Sequence, residues 1–188
     1  MEKVENIKKT NCLTEMLSNK KVKYAIGTLL LSGLGIAMPR IFHVLAGTSA
    51  GTIFLPMHIC VLIAALTFGM ISSTVVVGSS VIFSYLLTGM PSLARLPYMF
   101  IELAIYAVLL SIFNKKFNSY ISLIMTIVLG RILYAGILFT SVNILGFSSY
   151  GISVLESVKV GIPGIILQIL FVPVIAKIIN KGLNLKND

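Results

Sequence analysis

Charge is what this chain has least of. Of its 188 residues only 11% are Asp, Glu, Lys or Arg, and just six are acidic. Between Tyr24 and Ala176 there are eight charged side chains: Arg40, Arg95, Glu102, Lys115, Lys116, Arg131, Glu156 and Lys159. Soluble domains are typically about one-quarter charged, so this balance excludes an ordinary water-soluble globular protein. Metal-ligating groups are scarce too. Cys12 and Cys60, like His43 and His58, stand at no spacing suited to zinc. Cys12 falls in a polar N-terminal segment and Cys60 in an apolar run, which argues against a disulfide between them. No GxSxG, HExxH or P-loop is present, so the chain encodes no nucleophile elbow, metalloprotease helix or nucleotide site of its own. It is expected to need no cofactor and to hydrolyse no ATP. The two halves show no inverted repeat, which disfavours a transporter built from paired halves.

What is present is apolar. Hydrophobic residues make up 57% of the chain, and the mean hydropathy is +0.99. At about 20 residues per helical span, the length accommodates six spans and little else. The runs are Val22–Met38, Met57–Phe68, Ile71–Leu87, Tyr98–Phe113, Tyr120–Leu145 and Ile162–Ile179. Pro39 is expected to end the first, and a loop is expected over Pro39–Pro56. The second and third are short and break near Gly69, forming a thin hairpin or a re-entrant pair. Thr88-Gly89-Met90-Pro91-Ser92 reads as a turn, and Asn114–Asn118 and Gly146–Lys159 as loops. Pro163 belongs to a first helical turn, and Pro173 to a kink. The expected fold is an all-α membrane protein with six transmembrane helices in one bundle. Residues 1–21 form an N-terminal segment, 22–180 the membrane domain and 181–188 a tail. The first 23 residues are polar and do not read as a signal peptide; Val4, Ile7 and Leu13 give them the alternative of a surface helix.

The net charge of +9 raises the question of nucleic acid, but its distribution answers it. Eleven Lys and Arg side chains fall in the two ends and the Lys115-Lys116 loop, against three (Arg40, Arg95, Lys159) in the other loops. That asymmetry is the positive-inside pattern. It predicts cytoplasmic termini in a cell membrane, with the lipid bilayer rather than nucleic acid as the surrounding partner.

Two charges remain inside apolar runs: Glu102 and Arg131. A charge at the centre of a membrane helix costs about 2.5–3.5 kcal/mol on insertion scales, and such residues face a bundle interior, pair, or mark a ligand path. Tyr98, Glu102 and Tyr106 recur at four-residue spacing and share a helix stripe; Arg131 and Tyr134 share another. Three roles are open for the pair: a mutual ion pair fixing helix packing, direct ligand contact, or intramembrane acid–base chemistry with His58. His58 and Gln168 are each read either as packed residues or as ligand contacts. In the first run, Thr28/Ser32 and Gly33/Ala37 are small pairs spaced by four. Small residues at that spacing let helices approach closely, within the bundle or against another membrane protein.

Together, Phe54-Leu55-Pro56-Met57-His58, Leu87-Thr88-Gly89-Met90-Pro91, Glu102-Leu103-Ala104-Ile105-Tyr106 and Gly130-Arg131 resemble the substrate-binding S components of energy-coupling factor transporters. The resemblance covers residues 22 to 180. It implies a six-helix subunit that captures a small water-soluble nutrient (a vitamin or cofactor precursor) from outside. That subunit docks on a membrane coupling subunit joined to two cytosolic ATPases. It also implies a pocket near the outer face, to which His58, Arg95, Glu102, Tyr106, Arg131, Tyr134 and Gln168 are assigned here. Docking in the family uses Ala-x-x-x-Ala in the first helix; the nearest equivalents are Thr28/Ser32 and Gly33/Ala37. Cys60 stands where related motifs often have Pro. An intramembrane enzyme using His58 and Glu102, or a stand-alone secondary transporter, is the alternative.

Overall fold

A computed structural model describes residues 19–47, 53–93, 95–143 and 154–185. Among these the regular structure is helical: α1 (Lys20–Ala46), α2 (Pro56–Thr67), α3 (Gly69–Thr88), α4 (Leu96–Phe113), α5 (Ser119–Asn143) and α6 (Val154–Gly182). Five of them, all but α2, are long and apolar enough to cross a membrane, the makeup of a multi-pass membrane protein. Their outward faces carry large apolar side chains such as Leu29, Leu45 and Ile71. That is how a helix bundle meets hydrocarbon, not water.

The short helix has a different job. At 12 residues it is about 18 Å long, against a hydrocarbon core of about 30 Å. Yet eleven of its residues are buried, and it packs on α1, α3, α4 and α6. A helix that is apolar all round belongs inside a protein. Because α2 is wrapped by longer helices, its ends meet protein, and its length is freed from bilayer thickness. The apolar pattern predicts two short helices, as a thin hairpin or a re-entrant pair; the structure has one short buried helix, α2, while α3 reaches 20 residues and is long enough to span.

Contacts between the helix ends fix their directions. Lys23 Nζ donates to the Leu183 carbonyl at 2.7 Å, Tyr24 and Phe68 pack edge to face, and Asn114 Nδ2 donates to the Leu66 carbonyl at 3.4 Å. The start of α1 therefore shares one end of the bundle with the ends of α2, α4 and α6. At the opposite end, Phe42 packs on Phe54, and Gly164 sits against the backbone of Ile53 and Phe54. Consecutive helices thus alternate in direction.

Several helix limits depart from the sequence reading. α1 runs through Pro39 to Ala46 and stops at Gly47, whose φ of 83° suits glycine and whose N–H closes on the His43 carbonyl. A proline removes one hydrogen bond and can be carried inside a long membrane helix; the positive-φ glycine is the stronger stop. Arg40 and His43 therefore lie on the helix and not in a loop. Of the expected loop, residues 48–52 lie outside the described residues. α6 likewise starts at Val154 and holds both Pro163 and Pro173 in its interior. Lys159 is helical as a result, and residues 144–153 lie outside the described residues, as do 1–18. By contrast, the break at Gly69 (φ 80°) and the turn at Gly89 (φ 69°) fall where glycine foretold them, and α4 opens on Leu96-Pro97.

Candidate binding site

The first turn of α2 sets the site. Leu55 precedes a proline, which disfavours the right-handed α region for it. It takes left-handed angles instead, φ 48° and ψ 48°, a strained choice for a branched side chain, costing about 1–2 kcal/mol. Pro56 then opens the helix with φ already in place, and His58 donates its backbone N–H to the Leu55 carbonyl at 3.1 Å. The chain reverses tightly here, and the His58 imidazole is aimed into the bundle, 2% exposed.

Glu102 on α4 and Arg131 on α5 meet there. Arg131 Nη1 lies 2.7 Å from Glu102 Oε1, both side chains about nine-tenths buried. His58 Nε2 is 3.6 Å from the same oxygen, beyond hydrogen-bond distance. The two charges that stood out in the sequence thus form one cluster with His58, drawn from three helices. The ion pair left open in the sequence is formed. Its fit is incomplete: Glu102 Oε1, Arg131 Nε and both His58 ring nitrogens have no hydrogen-bond partner in the protein. The Arg131–Glu102 contact is close in distance but not aligned for an N–H to point at that oxygen.

Aromatic side chains wall the cluster. Tyr106, one turn beyond Glu102, interacts with the same carboxylate, and its ring lies 5.5 Å from the His58 ring, tilted by 60°. It fits only because residue 130 is glycine: a Cβ there would overlap the Tyr106 ring. Tyr134, on the Arg131 side of α5, is buried and interacts with Glu102, Arg131, Tyr98 and Arg95. Arg95 itself is exposed, immediately before α4, at the rim and not in the buried group.

Gln168, on α6, is the other buried polar side chain expected at the site. It is 2% exposed, and its Nε2 has no partner in the protein. Gly164, one turn earlier on the same face, packs on the segment leading into α2. This register places Gln168 level with the first turn of α2, where His58 sits.

The four small residues on α1 divide into two pairs. Thr28 and Ser32 are buried; Thr28 Oγ1 donates back to the Tyr24 carbonyl at 2.7 Å, and Ser32 is bonded to Ser79 of α3 at 2.8 Å. They serve the α1–α3 contact inside the bundle. Gly33 and Ala37 are exposed, with nothing within 4 Å of a Cβ built on Gly33.

Two contributors appeared in the sequence only within motifs, with no role of their own: Leu55, which takes left-handed angles, and Gly130, as the seat of Tyr106. A glycine inside an apolar helical run, directly before the lone arginine, was the available signal for the second. Among the described residues no three His, Cys, Asp or Glu side chains gather closely enough to hold a metal ion. No family model, no curated protein and no solved structure matches this chain.

Proposed function

We propose that this chain is a membrane-embedded solute-binding subunit. It captures a small polar molecule at the His58–Glu102–Arg131–Gln168 cluster and passes it on through an ATP-driven coupling module of the energy-coupling factor type. One observation carries the binding reading: polar side chains from three helices meet in the bundle, about nine-tenths buried, with buried Gln168 of α6 level with them, and the protein leaves part of their hydrogen-bonding capacity unused. Buried polar groups are nearly always satisfied, and leaving several unmet in one place is costly unless a ligand meets them. Aromatic side chains around a few convergent polar groups are the usual makeup of a small-molecule site.

The coupling half rests on the family resemblance and on the chain's lack of a nucleotide motif. The ends of the described bundle lie together, and the lysine-rich segments flank them; the positive-inside rule puts that end in the cytoplasm. The cluster then lies toward the outer side, near the α2 and α4 starts.

The full chain should co-purify with a membrane coupling subunit and two ATPases, and solute uptake should stop when the ATPases are inactivated. Uptake by the isolated chain driven by an ion gradient would overturn the coupling half in favour of a secondary transporter. Turnover of a solute by the isolated chain would point to the enzyme.

A further inference from the structure

The charges in the cluster restrict what it can accept. Arg131 is permanently protonated, and Glu102 faces it at 2.7 Å, so the two cancel within the buried group. Tyr106, Tyr134 and Gln168 carry no charge, and His58 carries one only when protonated. Arg95 is exposed and screened by solvent. No uncompensated charge in the buried group calls for an ion, and burying an ionised ligand without a counter-charge carries a heavy desolvation penalty.

The unused hydrogen-bonding capacity is mixed in kind. Arg131 Nε and Gln168 Nε2 are donors, Glu102 Oε1 is an acceptor, and an uncharged imidazole at His58 would supply one of each. A ligand meeting all of them must offer both donors and acceptors. A purely anionic molecule would satisfy Arg131 and Gln168 but face Glu102; a cation would satisfy Glu102 but face Arg131.

We propose that the solute taken at this cluster is net-neutral and carries both hydrogen-bond donors and acceptors, as amides, alcohols, nucleosides and zwitterions do. The inference rests on the reading of the cluster as a solute site. It narrows the substrate class from water-soluble nutrients in general to those with no net charge.

The test uses the purified full chain at pH 8 and pairs of near-isosteric probes that differ in charge. Suitable pairs are nicotinamide with nicotinate and pantothenol with pantothenate. Calorimetry and thermal shift should show at least one net-neutral member binding, at least tenfold tighter than its charged partner. In Glu102→Gln the counter-charge to Arg131 is lost, and the preference should turn toward the anionic member. If a charged member binds the native chain as tightly as its neutral partner or tighter, net-neutral selection is overturned while solute binding stands. If no probe binds, the cluster fails as a site for these solutes and the binding reading falls with it.

Discussion

This bundle buries polar side chains in two places, and it treats them differently. Along the α1–α3 seam, three of the hydroxyls find partners within the protein. Thr28 bonds to the carbonyl one turn back, Ser32 and Ser79 bond across the seam, and Ser79 is bonded again to the Val75 carbonyl at 2.8 Å. Ser80 and Ser84, on the buried face of α3, have no partner, but a hydroxyl can rotate onto its own helix's preceding carbonyls at little cost. Around His58, Glu102, Arg131 and Gln168 the groups are long, directional or charged, and the protein leaves part of their bonding capacity unmet. Serine seams are what membrane helices use to pack. Unmet charged and amide groups are what they keep for function. The difference separates two consequences of mutation: damage to the seam should change stability alone, whereas damage to the cluster should change recognition.

The largest effect should come from breaking the ion pair. Glu102→Ala or Arg131→Ala leaves a buried charge alone and should cost about 3–5 kcal/mol of stability, read by denaturant or thermal unfolding. Solute affinity should fall as well. The sharper measurement removes both charges. Glu102→Leu combined with Arg131→Met replaces the pair with apolar side chains of similar size, a change that is often neutral for folding. The double variant should regain most of the stability lost in either single variant yet bind no solute. If it binds like the native chain, the pair belongs with the seam as packing, and the comparison collapses.

Next in size is Gly130→Ala. A methyl group there runs into the Tyr106 ring, and overpacking of this kind costs about 1–3 kcal/mol. Because Tyr106 touches both Glu102 and His58, moving its ring should also weaken solute binding. Gly35→Ala is the matched change on the seam: its methyl group meets the Ser80 side chain, with a stability cost in the same range. Affinity should hold in this second variant. A calorimetric titration of the two side by side decides whether the boundary between packing and site lies where the hydrogen bonds place it. Ser80→Ala added to Gly35→Ala should recover part of the lost stability.

How much of this was legible beforehand follows from the range of each interaction. Stops set by one residue's backbone were legible: Gly69 and Gly89 take positive φ, and Pro97 opens α4. Pro39 and Pro163 misled, because a proline inside a long helix is a local defect that the surrounding turns can carry. Glu102 and Arg131 were conspicuous as charges in apolar runs. Their meeting was less obvious, since Glu102 lies about 9 Å along α4 from its start and Arg131 about 18 Å along α5 from its end, at 1.5 Å per residue. A guanidinium on a long flexible stem covers such an offset. The central burial of α2 was hidden for a different reason. A short apolar run has the same composition whether lipid or protein surrounds it, and only the tertiary arrangement of α1, α3, α4 and α6 around it distinguishes the two.

The smallest expected effect gives the cleanest test of the seam. Ser32→Ala removes the hydroxyl bonded to Ser79 and leaves a methyl group of nearly the same volume, so no cavity opens. Ser79 keeps its bond to the Val75 carbonyl, so no donor is orphaned. Side-chain hydrogen bonds between membrane helices average about 0.6 kcal/mol, and the loss should be of that order, near the resolution of an unfolding titration. Solute affinity should be unchanged, because the bond ties α1 to α3 and reaches the helices that supply the cluster's side chains only indirectly, through α1 packing on α2 and α3 packing on α2 and α4. A drop in affinity much greater than the drop in stability would mean that α1 and α3 transmit strain into the first turn of α2. The seam would then be part of the binding machinery, and the two kinds of buried polar group would be one.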